Sequence, residues 1–235
     1  MLAGVVLVGA FLQGAGGFGL GMFAAPVVAL VDPTLMPALI ILLATVLTAV
    51  LALRERTSVN RAGVGWSLLG RLPGSAAGAG LVALLSPSAL AMLVGLVVLG
   101  GAGLSLRGWA PAFSRRNLMT AGMAAGVMGT ATSIGGPPMA LMFQRSEPAE
   151  ARGTLSVFFL VGSLMSLGLL LLAGAVDLRT VVVSAWLLPA LLAGYGISRL
   201  LVPYFNRRRM RVLAIAMSCA SATALLGQQL WRLLG

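Results

Sequence analysis

The chain divides into apolar runs of about 20 residues separated by short gaps that carry arginine, and this spacing constrains the fold more than any other feature. A helix of about 20 residues crosses the ~30 Å hydrocarbon core of a bilayer. The uninterrupted runs are Thr34–Leu53, Trp66–Leu85, Ser88–Leu106, Leu155–Gly174, Thr180–Leu201 and Val212–Leu230, and each reads as one transmembrane helix. Composition agrees. Of 235 residues, 59% are hydrophobic and 9% charged, whereas a soluble domain carries about 25% charged residues. So few charges cannot cover a water-facing surface, which excludes an ordinary soluble enzyme, a disordered tail and a secreted disulfide scaffold. An all-α integral membrane protein is expected.

The net charge is +11, from 16 basic and 5 acidic residues, and every basic residue is arginine. Such a surplus can point to nucleic acid. Here the arginines sit in the gaps between apolar runs, where loop charge sets membrane orientation and meets anionic headgroups. The lipid bilayer is the expected partner, and nucleic acid is not. Histidine is absent, which removes the usual proton shuttle and metal ligand. The single cysteine, Cys219, allows no internal disulfide or thiolate cluster and reads as a small core residue. No cofactor or metal is expected. Met1–Leu12 is apolar but lacks a positive leading region, so no cleavable signal peptide is expected.

Two segments break the pattern. Met1–Val31 is interrupted by Gly14-Ala15-Gly16-Gly17-Phe18-Gly19-Leu20-Gly21, and Asn117–Gln144 by Gly129-Thr130-Ala131-Thr132-Ser133-Ile134-Gly135-Gly136-Pro137-Pro138. The apolar halves on either side hold roughly a dozen residues, about 18 Å of helix, too short to span alone. Each segment is either one interrupted span or a re-entrant hairpin.

The two segments also sit at matching places in a repeat. Asp32-Pro33 matches Glu147-Pro148 at an offset of 115. Leu72-Pro73, Gly78, Gly80 and Pro87 match Leu188-Pro189, Gly194, Gly196 and Pro203 at 116. This order predicts two membrane repeats, 1–106 and 117–235, joined by a cytoplasmic linker over 107–116. Each repeat is a broken segment followed by three spans. Arginine placement then favours re-entrant broken segments. If both span fully, the cluster at Arg207, Arg208, Arg209 and Arg211 falls outside, against the positive-inside rule. If both are re-entrant, 12 arginines lie inside and only Arg179 and Arg232 outside. Each repeat then crosses three times and the two are inverted, a recurring transporter plan. A mixed case, with one segment re-entrant, is the alternative.

The breaks are where chemistry is expected. Glycine lets the backbone turn sharply and approach a ligand closely. The half-helix after a break presents unpaired N–H groups and the positive end of its dipole, which bind anions without side-chain charge. Irregular backbone at membrane depth must be buried in protein or line a wet cavity. One central anion site is therefore expected, built from Gln13, Gly14, Gly16, Gly17 and Gly19 at the first break. The second break would add Thr130, Thr132, Ser133, Gly135, Gly136 and Pro137. Thr45 and Thr48, mid-span beside the first break, are candidate hydroxyl donors, though hydroxyls bonded back to the helix are equally expected there. Arg152, at the start of the next span, is a candidate to complete or gate the site, against an anchoring role at headgroups. Arg71 lies about 7 Å along its helix from Trp66, where snorkelling is favoured over drawing anions inward. The bland alternative for the glycines is close helix packing.

All five carboxylates, Asp32, Glu55, Glu147, Glu150 and Asp177, fall at span ends. No mid-span acid marks a proton relay, so an electrogenic path is considered. Moving one negative charge outward gains about 2.3 kcal/mol per 100 mV of inside-negative potential. An intramembrane enzyme is disfavoured by the absence of histidine, of a carboxylate pair and of a serine–base dyad.

The residues now carry a resemblance. The Gly-rich break with a downstream proline (Gly14–Pro26), the Gly135-Gly136-Pro137 break and Arg152-Gly153-Thr154 resemble the TauE/SafE (sulfite exporter, TSUP) membrane permease family over nearly the whole chain. The first break departs from the family's nearly pure glycine run at Phe18 and Leu20. The resemblance implies a multi-pass protein of the bacterial cytoplasmic (inner) membrane. It implies secondary transport or export of a small sulfur-containing anion, such as sulfite or a sulfonate like sulfoacetate, and allows a homo-oligomer. The alternatives are an importer of other small organic anions and a non-transporting membrane subunit or scaffold.

Overall fold

The computed structural model describes residues 1–16, 19–106, 111–201 and 207–234. Among the described residues there are ten α-helices and no strands. They are α1 (Leu2–Gly16), α2 (Leu20–Val31), α3 (Ala38–Arg54), α4 (Arg61–Leu84), α5 (Pro87–Leu106), α6 (Arg115–Thr132), α7 (Gly136–Phe143), α8 (Pro148–Leu172), α9 (Leu178–Leu201) and α10 (Arg207–Leu234). Three helical stretches, Pro87–Leu104, Pro148–Leu172 and Leu178–Leu201, are long and apolar enough to cross a membrane. The glycines, Ser67, Arg71 and Ser75 of α4 dilute its hydropathy, and the arginines opening α10 do the same there.

Helix ends depart from the apolar runs, because hydropathy marks depth in lipid and not hydrogen bonding. α3 starts at Ala38 because Asp32 accepts the Thr34 N–H and caps a single 3-10 turn over Pro33–Leu35. The Thr34 hydroxyl, and after it Arg179, hold the Asp32 carboxyl below the usual carboxylate range. α4 starts before its apolar run because the Asn60 carboxamide oxygen accepts the Gly63 N–H at 2.8 Å. Pro148 opens α8 at a position that needs no N–H partner.

In lipid the hydrophobic effect gives little helix–helix attraction, so contacts rest on close packing of small residues. α4 lies along α6. A Cβ at Gly70 or Gly74 would collide with the carbonyl of Met119 or Met123, and one at Gly122 with the carbonyl of Ser67. Contacts advance in the same direction on both helices, so α4 and α6 run parallel. α1 lies along α9 in the same way, with Gly194 against the Leu7 carbonyl and Gly14 against Ser198. α3 packs on α8, and α5 on α10. Exchanging α1–α5 for α6–α10 turns the α1–α9 contact into the α6–α4 contact and leaves the α3–α8 and α5–α10 contacts in place.

Two apolar clusters flank the breaks. The larger joins Val6, Leu20, Val28, Leu39, Leu43, Leu47, Val94, Leu191 and Leu225. The smaller joins Leu118, Met139, Phe143, Leu155 and Phe158. Apolar side chains also face outward, among them Leu96, Trp186 and Leu200, which suits a lipid-facing surface and not water.

Candidate functional site

At both breaks the chain doubles back. Leu20, the first residue of α2, packs on Gly9 two turns before the end of α1, and Gly19 packs on Leu12 and Gln13. Gly19 makes the reversal at φ 151°, a conformation that L side chains rarely adopt. Gln13, 5% exposed, seals it: its side-chain oxygen accepts the Leu20 N–H at 3.1 Å. At the second break Ser133 takes the left-handed conformation, φ 64° and ψ 13°, and its hydroxyl donates to the Pro37 carbonyl at 2.9 Å. Gly135 then packs on the Ala125 carbonyl.

The two reversals touch. A Cβ at Gly21 would collide with the carbonyl oxygen of Ser133. Around this contact lies a cavity of about 60 Å³, lined from the first break by Gln13, Gly19, Gly21 and Met22 and from the second by Gly129 and Ser133–Gly136. Ile41, Ala44 and Thr48 of α3, Arg71 of α4, and Phe159, Ser163 and Ser166 of α8 complete the lining. A cavity needs at least ~10–15 Å³ of such space to hold one water, so this one has room for more than one water or for a small anion.

The starts of α2 and α7 both reach the cavity, bringing the positive ends of their dipoles. Their donors differ. In α7, Pro137 and Pro138 have no N–H, so the first turn offers few N–H groups beyond that of Gly136. In α2, Gln13 already takes the Leu20 N–H.

The formal charge comes from Arg71. It is 4% exposed, and its Nε and Nη1 have no hydrogen-bond partner among the described residues. Its guanidinium carbon stands 4.8 Å from the centroid of Phe158, a cation–π arrangement. Gly162 makes room for it, since a Cβ there would overlap Nε, and Nη2 lies beside Gly129 in the last turn of α6. A cation is favoured at that helix end, but among the described residues no carboxylate lines the cavity.

Of the residues singled out from sequence, Gln13, Gly19, Thr48, Ser133, Gly135 and Gly136 line the cavity. The others lie elsewhere. Gly14 packs on Ser198 and Tyr195. Gly16 ends α1, and Gly17 lies outside the described residues. The Thr45 hydroxyl donates to Ile41 and that of Thr132 to Met128, both back into their own helices. Thr130 bonds Ser166 at 2.7 Å behind the cavity wall. Pro137 packs on Gly101. Arg152 is not at the cavity: it pairs with Glu55 at 3.2 Å, in the turn after α3. Thr48 faces the cavity while its hydroxyl donates to the Ala44 carbonyl.

Arg71, for which the sequence slightly favoured headgroup contact over drawing anions inward, lines the cavity. The available signal was its depth, since an ionisable residue well inside a span is a functional candidate by default. Ser163 and Ser166 carried only a weak signal, two hydroxyls beside a glycine on an apolar helix.

A family model described as sulfite exporter TauE/SafE matches residues 1–225 of this chain. The chain belongs to the TauE/SafE family. Membership makes it a membrane transport protein of a family named for sulfite export, with a small anion as substrate and lipid as surroundings. No curated protein and no solved structure matches the chain.

Proposed function

We propose that this TauE/SafE protein exports small sulfur-containing oxyanions, sulfite first among them, across the cytoplasmic membrane. The anion is held in the cavity between the two breaks. The observation that carries the reading is the convergence of both reversals, two helix N-termini and the Arg71 guanidinium, its Nε and Nη1 unpartnered among the described residues, on one cavity. The cavity volume of about 60 Å³ suits a pyramidal oxyanion of four heavy atoms. A longer sulfonate such as sulfoacetate requires the walls to part. Arg71 supplies the charge and a fork of donors suited to oxyanions. Gly135, Gly136 and Gly21 let the anion meet backbone directly, whereas the Ser163 and Ser166 hydroxyls on the wall donate back to Leu160 and Gly162 of their own helix.

The same reading makes the two halves inverted repeats with re-entrant broken segments. Support comes from contacts at the ends. The ring of Phe113, just before α6, meets that of Phe143 at the end of α7, with centroids 5.5 Å apart. That segment starts and finishes near the Glu55–Arg152 pair and the Asn60–Glu150 hydrogen bond. α1 runs parallel to α9, whose start is tied by Arg179 to Asp32 just beyond α2. The first broken segment thus starts and finishes at the opposite end. Access would alternate as one half rocks against the other around the breaks.

Flux of radiolabelled sulfite in proteoliposomes tests the transport, with Gly136→Ala as the site variant. Flux that saturates and falls in the variant is expected. A protein that neither moves sulfite or sulfonates nor is stabilised by them against heat is a scaffold instead. For the topology, cysteines placed at Ser58 after α3 and at Ala175 after α8 should label from opposite faces, Ser58 from the cytoplasm; labelling of both from one face rules out the inverted arrangement.

A further inference from the structure

We propose that this carrier works as an obligatory anion exchanger, because Arg71 has no counter-ion among the described residues and must be neutralised by cargo whenever the cavity closes. The inference rests on the transport reading above and specifies its mode. Arg71 is buried, its Nε and Nη1 are unpaired, and Gly162 and Phe158 confine it. It therefore cannot swing out to headgroups as an arginine near a helix end does.

All five acidic side chains are committed or placed away from the cavity. Asp32 pairs with Arg179, and Glu55 with Arg152. Glu150 accepts from Asn60, and Asp177 accepts the Thr180 N–H at the start of α9. Glu147 precedes the first turn of α8. None lines the cavity, so among the described residues no carboxylate is in place to shield the guanidinium when the site is empty. The breaks offer little relief, since the dipoles of α2 and α7 add positive potential where those of α1 and α6 add negative potential.

The consequence concerns the step in which the cavity closes to water and reopens on the other side. With an oxyanion bound, that step moves a neutralised, hydrogen-bonded pair. Without one, it buries a bare guanidinium, and a buried charge whose partner is missing is strongly disfavoured. The loaded carrier turns over readily and the empty carrier returns slowly. An anion arriving from the far side restores neutrality and speeds the return, so outward movement of one anion is coupled to inward movement of another. The counter-substrate is a second small oxyanion that fits the same cavity. A carrier limited only by chemistry common to both directions would show no such coupling.

The test uses the whole protein in proteoliposomes loaded with radiolabelled sulfite, with the membrane potential clamped at zero by potassium and valinomycin. Efflux into buffer containing unlabelled sulfite is expected to exceed efflux into sulfite-free buffer by about tenfold or more, the scale set by an unpaired buried charge. Equal efflux in the two buffers, within about twofold, overturns the exchange mode and leaves transport standing. No sulfite flux in either buffer overturns the transport reading and exchange with it. Arg71→Gln is expected to abolish the acceleration, and Arg71→Lys to keep it. The comparison of buffers on the unaltered protein decides the matter even where a variant fails to fold. Acceleration that persists in a folded, transporting Arg71→Gln protein overturns Arg71 as its cause.

Discussion

The two breaks perform the same reversal with different chemistry. The first is built from glycine and sealed by a side chain, Gln13 capping the Leu20 N–H. The second has a non-glycine residue at its left-handed position, Ser133, tied to Pro37 just before α3, and it enters a helix through two prolines. The first therefore keeps its geometry by a local bond. The second keeps it by backbone rigidity and by a contact reaching across the molecule. The charge sits with the second, since Arg71 lies beside Gly129 and against Phe158 of the neighbouring α8. Similar folds of chain have thus divided the work, one side shaping the cavity and the other charging it.

Substitutions separate these roles. Gly21→Val breaks the meeting point itself. The added side chain collides with the Ser133 carbonyl, which is backbone and cannot swivel away, so a loss of about 3 kcal/mol is expected. Thermal unfolding in detergent reads it, and transport should vanish. Arg71→Gln removes the charge on the second side. Hydrogen bonds to charged groups contribute about 1.5–3 kcal/mol, so sulfite affinity should fall about ten- to a hundredfold, read by the half-saturating concentration for flux. Gln13→Ala strips the seal of the first break and leaves the buried Leu20 N–H unsatisfied, at a cost of about 1–3 kcal/mol. It should lower stability more than affinity.

At Ser133 the comparison predicts that glycine is better tolerated than alanine by about 1 kcal/mol. Both lose the bond to Pro37, but only alanine keeps a Cβ at φ 64°. The smallest effect is expected for Arg152→Gln. Its ion pair is about 30% exposed on each side, so stability should change by less than about 1 kcal/mol and sulfite affinity not at all. A large affinity loss there would move the site away from the breaks.

The all-helical build, both breaks and the family were legible in the sequence, because glycine clusters inside apolar runs are rare signals with few structural meanings. The lining of the cavity was only half legible. In a soluble helix the apolar stripe identifies the buried face, but in lipid both the inner and outer faces are apolar. Spacing therefore could not tell that Thr48 turns toward the cavity while Thr45 and Thr130 do not. Helix ends misled for a related reason. Arg152 looked close to the site along the chain, yet α8 extends past its apolar run and leaves the arginine at the rim with Glu55. Arg71 was the reverse case. Snorkelling is the usual fate of an arginine near lipid, and only the pocket formed by Gly162 and Phe158, on a helix remote in sequence, holds it inward.

In this arrangement the transported oxyanion rests between the two reversals against Arg71. Selenite shares the pyramidal shape of sulfite and carries an anomalous scatterer, so crystals of the protein soaked with it test this placement directly. A selenium peak is expected in the cavity, within hydrogen-bonding reach of the Arg71 guanidinium and beside Gly135 and Gly136. A peak at Arg152 or at the arginines of the helix ends, with the cavity empty, would contradict it.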